Sequence, residues 1–242
     1  MLGKQHLTLS VMTAAVLLTP LMQSHPIHVI ISFIGVAIGS LIPDIDAKDA
    51  AVFHTNIRGL NSRPGVAFTS FVAPVLPLFG YFTKYIIYRP VVHLFNFLTG
   101  YSFEVKHRHF THSVIGIFTL TSATGIYLLI LNLFVKIELI WIILFLASYL
   151  SGAIMHLIQD SCTRSGIKWN QPFSNTKIKG GLNTGKDNFK PLLMLYLLSG
   201  LTLLTAYSTL TNSTVDALKG SSMLVILAWA TFMLISDVRI QK

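Results

Sequence analysis

The sequence predicts an all-α protein: a polytopic membrane helical bundle with about six transmembrane helices plus a broken or re-entrant hairpin. Of the 242 residues, 52% are hydrophobic and 11% are charged, whereas soluble domains carry about 25% charged residues. The mean hydropathy is +0.65. The apolar residues also form long uncharged blocks, and about 18 such residues in a row can cross a bilayer core. A single membrane-embedded domain over residues 1–242 is therefore predicted.

Six apolar blocks define the six predicted helices. A turn of only four residues, 23–26, joins the first two blocks, which favours a transmembrane hairpin over a cleaved secretory leader. A seventh apolar region, Val66–Leu98, is interrupted by three prolines and two basic residues, and proline kinks or ends a helix. This region is the predicted hairpin. The six blocks are Leu7–Met22, Ile27–Ile42, Ser113–Val135, Leu139–Leu157, Pro191–Leu210 and Ser222–Ser236.

The net charge of +9 resides mainly in the links between blocks. In a soluble protein this excess would suggest nucleic-acid binding, but in a membrane protein it indicates orientation and contact with anionic lipids, so no nucleic acid is expected. With six crossings, both termini and the longer polar links share one side. The only basic residues on the opposite side are Lys136 and Lys219, while Lys84 and Arg89 are not assigned to a side. The basic side is therefore predicted to be cytoplasmic.

Histidines and aspartates from four chain segments are predicted to meet at this cytoplasmic face. The segments lie at the start of the first helix, after the second, before the third and at the end of the fourth. A shell of imidazoles and carboxylates without cysteine suits Zn²⁺ or Mn²⁺, and sometimes iron, in a catalytic site. The residues concerned are His6, Asp44, Asp46, His107, His109, His112, His156 and Asp160.

Spacing supports a shared site, although each motif has a simpler explanation. His156 and Asp160 lie four residues apart and share a face if the helix continues; they also fit a hydrogen-bonded pair at a helix end. Asp44 and Asp46 can reach one site from a turn, or can cap a helix. The histidines near residue 110 can instead contact lipid headgroups. The co-location of all four segments favours metal binding.

Three motifs resemble the YdjM-type family of predicted membrane-bound metal-dependent hydrolases. They are Leu-Ile-Pro-Asp-Ile-Asp at 41–46, His-Arg-His-Phe-Thr-His-Ser at 107–113 and His-Leu-Ile-Gln-Asp-Ser-Cys-Thr-Arg-Ser-Gly at 156–166. They occur in the family's order, and the resemblance spans roughly residues 1–175. An early histidine, here His6, also fits the family pattern. The family is distantly similar to zinc-dependent phospholipase C, an all-helical fold with a zinc cluster.

The resemblance implies a metal site with one to three divalent ions, with zinc favoured over manganese or iron, and a location in the inner membrane. A small residue is common in the family at the position of His109, which is therefore not counted as a ligand. The implied metal ligands are His6, Asp44, Asp46, His107, His112, His156 and Asp160.

The predicted activity is metal-dependent hydrolysis of a phosphoester in a lipid or lipid-linked substrate. Asp46, if not fully engaged by metal, could orient the water as a general base. Arg108 could bind the phosphate, while Thr111 and Thr163 could fix the orientation of ligands. The single cysteine, Cys162, has no assigned base and is interpreted as a packed residue.

Two other functions use the same features. A metal transporter or sensor would hold ions without chemistry, and it predicts ligands deep within crossing helices. A non-catalytic protein that binds anionic lipid through its basic loops would not depend on Asp44 or His156. The clean apolar blocks contain no acidic residue in the middle of a helix, which counts against transport.

Overall fold

The fold is a helical bundle, as predicted, in a computed structural model that describes residues 1–47, 50–53, 75–100, 110–211 and 214–241. The α-helices are α1 Gly3–Leu18, α2 Pro26–Gly39, α3 Val75–Phe82, α4 Arg89–Thr99, α5 Val114–Val135, α6 Leu139–Ser161, α7 Phe189–Thr211 and α8 Thr214–Ile235. Short 3-10 turns lie at Thr19–Leu21, Ile42–Asp46, Ala51–Phe53 and Phe110–His112. Strands β1 Lys177–Lys179 and β2 Arg239–Gln241 pair antiparallel, with Ile178 opposite Ile240.

Within the described residues, four helices, α5 to α8, are long and apolar enough to cross a membrane. The predicted count of six is not confirmed. Helices α1 and α2 have 16 and 14 residues, which correspond to about 24 and 21 Å at about 1.5 Å per residue, short of a core of about 30 Å. The first block is shorter as a helix because α1 gives way to the 3-10 turn at Thr19–Leu21, which contains Pro20.

The bundle is built around α1 and α6. Helix α2 packs along α6, α5 packs on α6, and α1 contacts α7 and α8. The outward faces of the long helices stay apolar, as shown by Phe134, Leu203 and Leu234, which are at least 74% exposed. In a bilayer such surfaces contact acyl chains, so the packing is consistent with a membrane protein.

The region predicted as a hairpin contains no turn within residues 75–99. Helix α3, a π-helical segment Thr83–Tyr88 and helix α4 follow one another without interruption. Pro90 is the second residue of α4, and because it has no N–H it donates no hydrogen bond to the preceding turn. The earlier part of the predicted hairpin, residues 66–74, lies outside the described residues.

Two helix limits differ from the apolar blocks. Helix α8 begins at Thr214, eight positions before the block, because Asp216 in its first turn interacts favourably with the helix dipole. Helix α6 continues past Leu157 to Ser161, which places Asp160 on the helix. The polar segment that follows folds back on itself through bridges that join Thr163 to Leu182 and Ile167 to Ile178.

Candidate metal centre

Five of the predicted ligands meet at one end of the bundle. They come from α1, from the 3-10 turn after α2, from the 3-10 turn before α5 and from the last turns of α6. Four of these side chains are at most 2% exposed, whereas that of Asp44 is 18% exposed. The five residues are His6, Asp44, His112, His156 and Asp160.

Local structure holds each of the two turns in place. The turn Ile42–Asp46 is anchored by the buried side chains of Ile42 and Ile45, and the N–H of Ala47 donates to the carbonyl oxygen of Asp44 at 2.9 Å. In the turn Phe110–His112, the Ser113 hydroxyl donates to Phe110 and accepts from the Gly116 N–H. Ser113 is thus the N-cap of α5 and fixes His112 just before that helix.

The nitrogen–oxygen distances within the cluster match a metal coordination sphere. Asp44 Oδ1 lies 3.5 Å from His112 Nε2 and 3.6 Å from His156 Nε2. Asp160 Oδ1 lies 3.4 Å from His6 Nε2, while its Oδ2 lies 3.6 Å from His112 Nε2. A tetrahedral zinc site with bonds of about 2.0–2.1 Å has ligand–ligand edges of about 3.4 Å. The spacing therefore fits a small divalent ion.

The part of the chain that the structure describes contains two overlapping groups of candidate ligands. His6, Asp44 and His156 form one, and His112, His156 and Asp160 form the other, with the ligand atoms of each group within 4.8 Å of one another. His156 belongs to both groups. The rings of His6 and His156 are stacked, with centroids 3.7 Å apart.

Hydrogen bonds at Nδ1 orient all three imidazoles in the same way. His156 Nδ1 donates to the Ser40 carbonyl oxygen at 2.7 Å. His6 Nδ1 donates to Gln159 Oε1 at 2.9 Å, and the Gln159 amide donates in turn to Ser10. This network assigns the proton to Nδ1, so Nε2 carries the lone pair that a metal requires. The buried Nε2 atoms of His6 and His156 have no hydrogen-bond partner among the described residues.

The third imidazole is oriented through a threonine. The Thr111 hydroxyl donates to Asp46 Oδ2 at 2.9 Å, so it accepts from His112 Nδ1 at 3.1 Å. Such partners of metal-binding histidines fix the ring and raise its basicity. The predicted orienting role of Thr111 therefore has a geometric basis.

The charge of the cluster also suits a cation. Two carboxylates and three neutral imidazoles carry a net charge of −2. The α-ammonium group of Met1, which forms an ion pair with Asp160, balances one of these charges, so a net charge of −1 remains to attract a cation. Burial alone would raise the pKa of Asp44, but interactions with His156 and His112 hold it well below its usual range, so it stays ionised. Asp160 Oδ1 also accepts from the α-amino group of Met1 at 2.5 Å.

Other predicted residues occupy different positions. Asp46 lies outside both ligand groups and contacts Thr111 instead. Thr163 donates to the main-chain carbonyl of Asp160 at 2.7 Å, so it supports the end of α6 and not a ligand side chain. His107, His109 and Arg108 lie outside the described residues.

The sequence interpretation missed the residues that bring α2 against α6. A Cβ atom on Gly39 would lie 2.0 Å from the Tyr149 carbonyl oxygen, and one on Gly152 would lie 2.3 Å from that of Val36. The two backbones are therefore in direct contact, which brings the Ser40 carbonyl to His156. The four-residue spacing of Gly35 and Gly39 matches the small-residue motif of packed membrane helices. This motif could have predicted the close contact of α2 with another helix.

A bundle of long apolar helices around a buried cluster of histidine and aspartate defines an integral membrane protein with a candidate metal centre. The family model described as YdjM inner membrane protein matches residues 1–239, so the chain belongs to the YdjM inner membrane protein family. This confirms the family resemblance and an inner-membrane location. No curated protein and no solved structure matches the chain.

Proposed function

We propose that the chain is a membrane-bound metal-dependent hydrolase that cleaves a phosphoester in a lipid or lipid-linked substrate. The observation that carries this proposal is the common orientation of three buried imidazoles. His6, His112 and His156 each engage Nδ1 in a hydrogen bond and turn Nε2 toward two carboxylates. The α-ammonium group of Met1 pairs with Asp160, but the Nε2 atoms and the Asp44 carboxylate are costly to bury together unless a further cation joins them.

Five residues would hold the metal, and their donor set favours zinc over other ions. When bound, a divalent ion acts as a Lewis acid and lowers the pKa of water enough for attack at neutral pH. His6 and Asp44 would serve one ligand group, and His112 and Asp160 the other, with His156 in both.

The exposure of Asp44 indicates how substrate would approach. Because the other four ligand side chains are at most 2% exposed, water and a substrate oxygen would enter on the side of Asp44. The cluster lies at the ends of α1 and α6, at one end of the bundle. Headgroup phosphoesters occupy that level of a bilayer, which favours a lipid substrate.

The structure bears differently on the remaining residues for which the sequence suggested a role. The hydrogen bond from Thr111 favours a positioning role for Asp46, acting through His112, over the general-base role suggested by the sequence. Arg108 stays a prediction as the phosphate-binding residue, as does His107 as a ligand, because both lie outside the described residues.

Metal content tests the proposal. Detergent-purified wild type should retain zinc or manganese by elemental mass spectrometry, while Asp44→Ala and His156→Ala should lose it. Matched controls are Asp216→Ala and His25→Ala, which remove exposed residues of the same types and should keep wild-type metal content.

The metal-loaded protein is then assayed for phosphate or headgroup release from phospholipids in mixed micelles. Turnover that both ligand variants abolish would support the hydrolase. Bound metal without turnover, together with metal uptake into proteoliposomes, would favour a transporter instead. A wild type that stays metal-free after addition of zinc or manganese would overturn both functions and leave the lipid-binding protein.

A further inference from the structure

A cleft between α7 and α8 lies at the end of the bundle opposite the candidate metal centre. It is bordered by residues 204–211 of α7 and residues 217–224 of α8. The start of α7 lies at the metal-centre end, because Gln5, which precedes the ligand His6, donates to the side-chain oxygen of Asn188 at 3.3 Å. At about 1.5 Å per residue, the cleft begins about 22 Å further along α7. The cleft is therefore separate from the candidate metal centre.

Small residues on α8 create the cleft. Ala217, Gly220 and Ser221 form its α8 wall, and a Cβ atom on Gly220 would meet nothing within 4 Å. The α7 wall includes Leu204 and Tyr207, which are 51% and 66% exposed and so stand beside the cleft without closing it. The cleft has a volume of about 320 Å³, at the lower end of the range of about 300–1,000 Å³ for ligand sites.

The two buried hydroxyl groups in the walls are already hydrogen-bonded within their own helices. The Thr205 hydroxyl donates to the carbonyl oxygen of Leu201 at 2.8 Å, and the Ser221 hydroxyl donates to that of Leu218 at 2.9 Å. Each hydroxyl has only one proton to donate, so neither can donate to a ligand. The walls therefore favour an apolar occupant.

The cleft is continuous with the lipid-facing surface of the bundle. Both of its helices are long and apolar enough to cross a membrane, and its α7 wall is also part of the outward apolar face. Two turns of a helix about 10 Å in diameter fill roughly 850 Å³, so a helix of a second copy is too wide to enter. An acyl chain is a single row of methylene groups, and it would restore the dispersion contacts that an empty cleft loses.

We propose that this cleft binds one acyl chain of a membrane phospholipid. The bound lipid would be held at the membrane face opposite the candidate metal centre. The inference does not rest on the proposed function, because the cleft shares no residue with the candidate ligands.

Photo-crosslinking with a labelled lipid tests the site in the full-length wild type. The probe is phosphatidylethanolamine with a diazirine on one acyl chain, in vesicles of phosphatidylethanolamine and phosphatidylglycerol that hold the reconstituted protein. Peptide mapping compares the cleft with residues 129–135 of α5, a lipid-facing segment near the end of that helix. Labelling per residue should be at least about fivefold higher in the cleft, because a chain there has more contact atoms than one on an open helix face.

A filled cleft provides the matching variant. Gly220→Leu places a side chain in the open space and should lower labelling of the cleft to the level of residues 129–135. The control is Gly200→Leu on α7, where a Cβ atom also meets nothing within 4 Å but which does not line the cleft. It should keep wild-type labelling, and both variants should keep the wild-type melting temperature.

Two results would overturn the inference. One is labelling of the wild-type cleft that is no higher than that of residues 129–135, a result that stands even if Gly220→Leu fails to fold. The other is a dimer in native mass spectrometry that Gly220→Leu abolishes, which would assign the cleft to a second copy of the chain. Neither measurement involves metal or turnover, so failure of the proposed hydrolase would leave the lipid site in place.

Discussion

The Nδ1 atom of His156 lies 2.7 Å from the carbonyl oxygen of Ser40. This hydrogen bond from the end of α2 orients the His156 ring on α6 so that its Nε2 atom faces the other candidate ligands. The distance is possible because Gly39 and Gly152 let the two backbones touch. Packing between two helices therefore sets the orientation of a ligand, and stability and metal binding are coupled at this contact.

Enlarging either glycine should disrupt both properties. In Gly39→Ala and Gly152→Ala the new methyl group would meet main-chain atoms, which cannot move aside as a flexible side chain can. We expect a loss of about 3 kcal/mol or more in unfolding free energy, together with loss of bound metal, measured by thermal unfolding in detergent and elemental analysis.

Gly200→Ala is the matched control for this pair. A Cβ atom there meets nothing within 4 Å, and alanine is favoured over glycine in a helix by about 0.5–1 kcal/mol. Its melting temperature should be unchanged or higher. Wild-type stability in Gly39→Ala would contradict the close contact of α2 with α6.

Gln159 should tune metal affinity although it is not a ligand. Its Oε1 accepts from His6 Nδ1, so Gln159→Leu removes the group that fixes the His6 ring and its tautomer. Loss of such a partner typically weakens metal binding about 10- to 100-fold. Competition with a zinc chelator of known affinity measures the change, with the exposed Gln23→Leu as control. Unchanged affinity in Gln159→Leu would argue against the His6 assignment.

A double-mutant cycle separates the two roles considered for Asp46. If Asp46 acts through Thr111 on His112, then Asp46→Ala and Thr111→Val should each weaken metal binding by a similar factor of about 10 to 100. The double variant should be no weaker than either single one.

A direct ligand would behave differently in the same cycle. Asp46→Ala would then resemble Asp44→Ala, with metal lost outright, and the effect of Thr111→Val would add to it. Chelator competition on the four proteins therefore decides between the sequence-based role of Asp46 and the positioning role.

Cys162 should be unreactive while the protein is folded. Its side chain is 0% exposed, and burial raises the pKa of its thiol to about 12, so almost no thiolate exists at neutral pH. Labelling with N-ethylmaleimide should be negligible in mild detergent and complete in denaturant, as read by intact mass. Rapid labelling of the folded protein would show that the end of α6 opens.

Much of the fold followed from local sequence. The charge-free blocks predicted α5 to α8 because burial in lipid requires long apolar stretches with internal hydrogen bonds. The four-residue spacing of His156 and Asp160 predicted a shared face, and α6 does continue through both. Helix limits were less well predicted. The first apolar block continues across Pro20, where α1 has already ended, because backbone geometry ends the helix there. The last apolar block begins eight residues after Thr214, where α8 begins, because the helix dipole favours an acidic residue in the first turn.

The sequence by itself determined the membrane class, the family and the set of residue types available for a metal. Only the tertiary structure decided which of them meet. Asp44 and Asp46 are the same residue type and lie two positions apart in the chain. The Asp44 carboxylate nevertheless contacts two imidazoles, whereas that of Asp46 contacts Thr111. Residues such as Ser40 and Gln159 acquire their roles from contacts between helices distant in the chain, because hydrogen bonds depend on positions in space that no local pattern encodes.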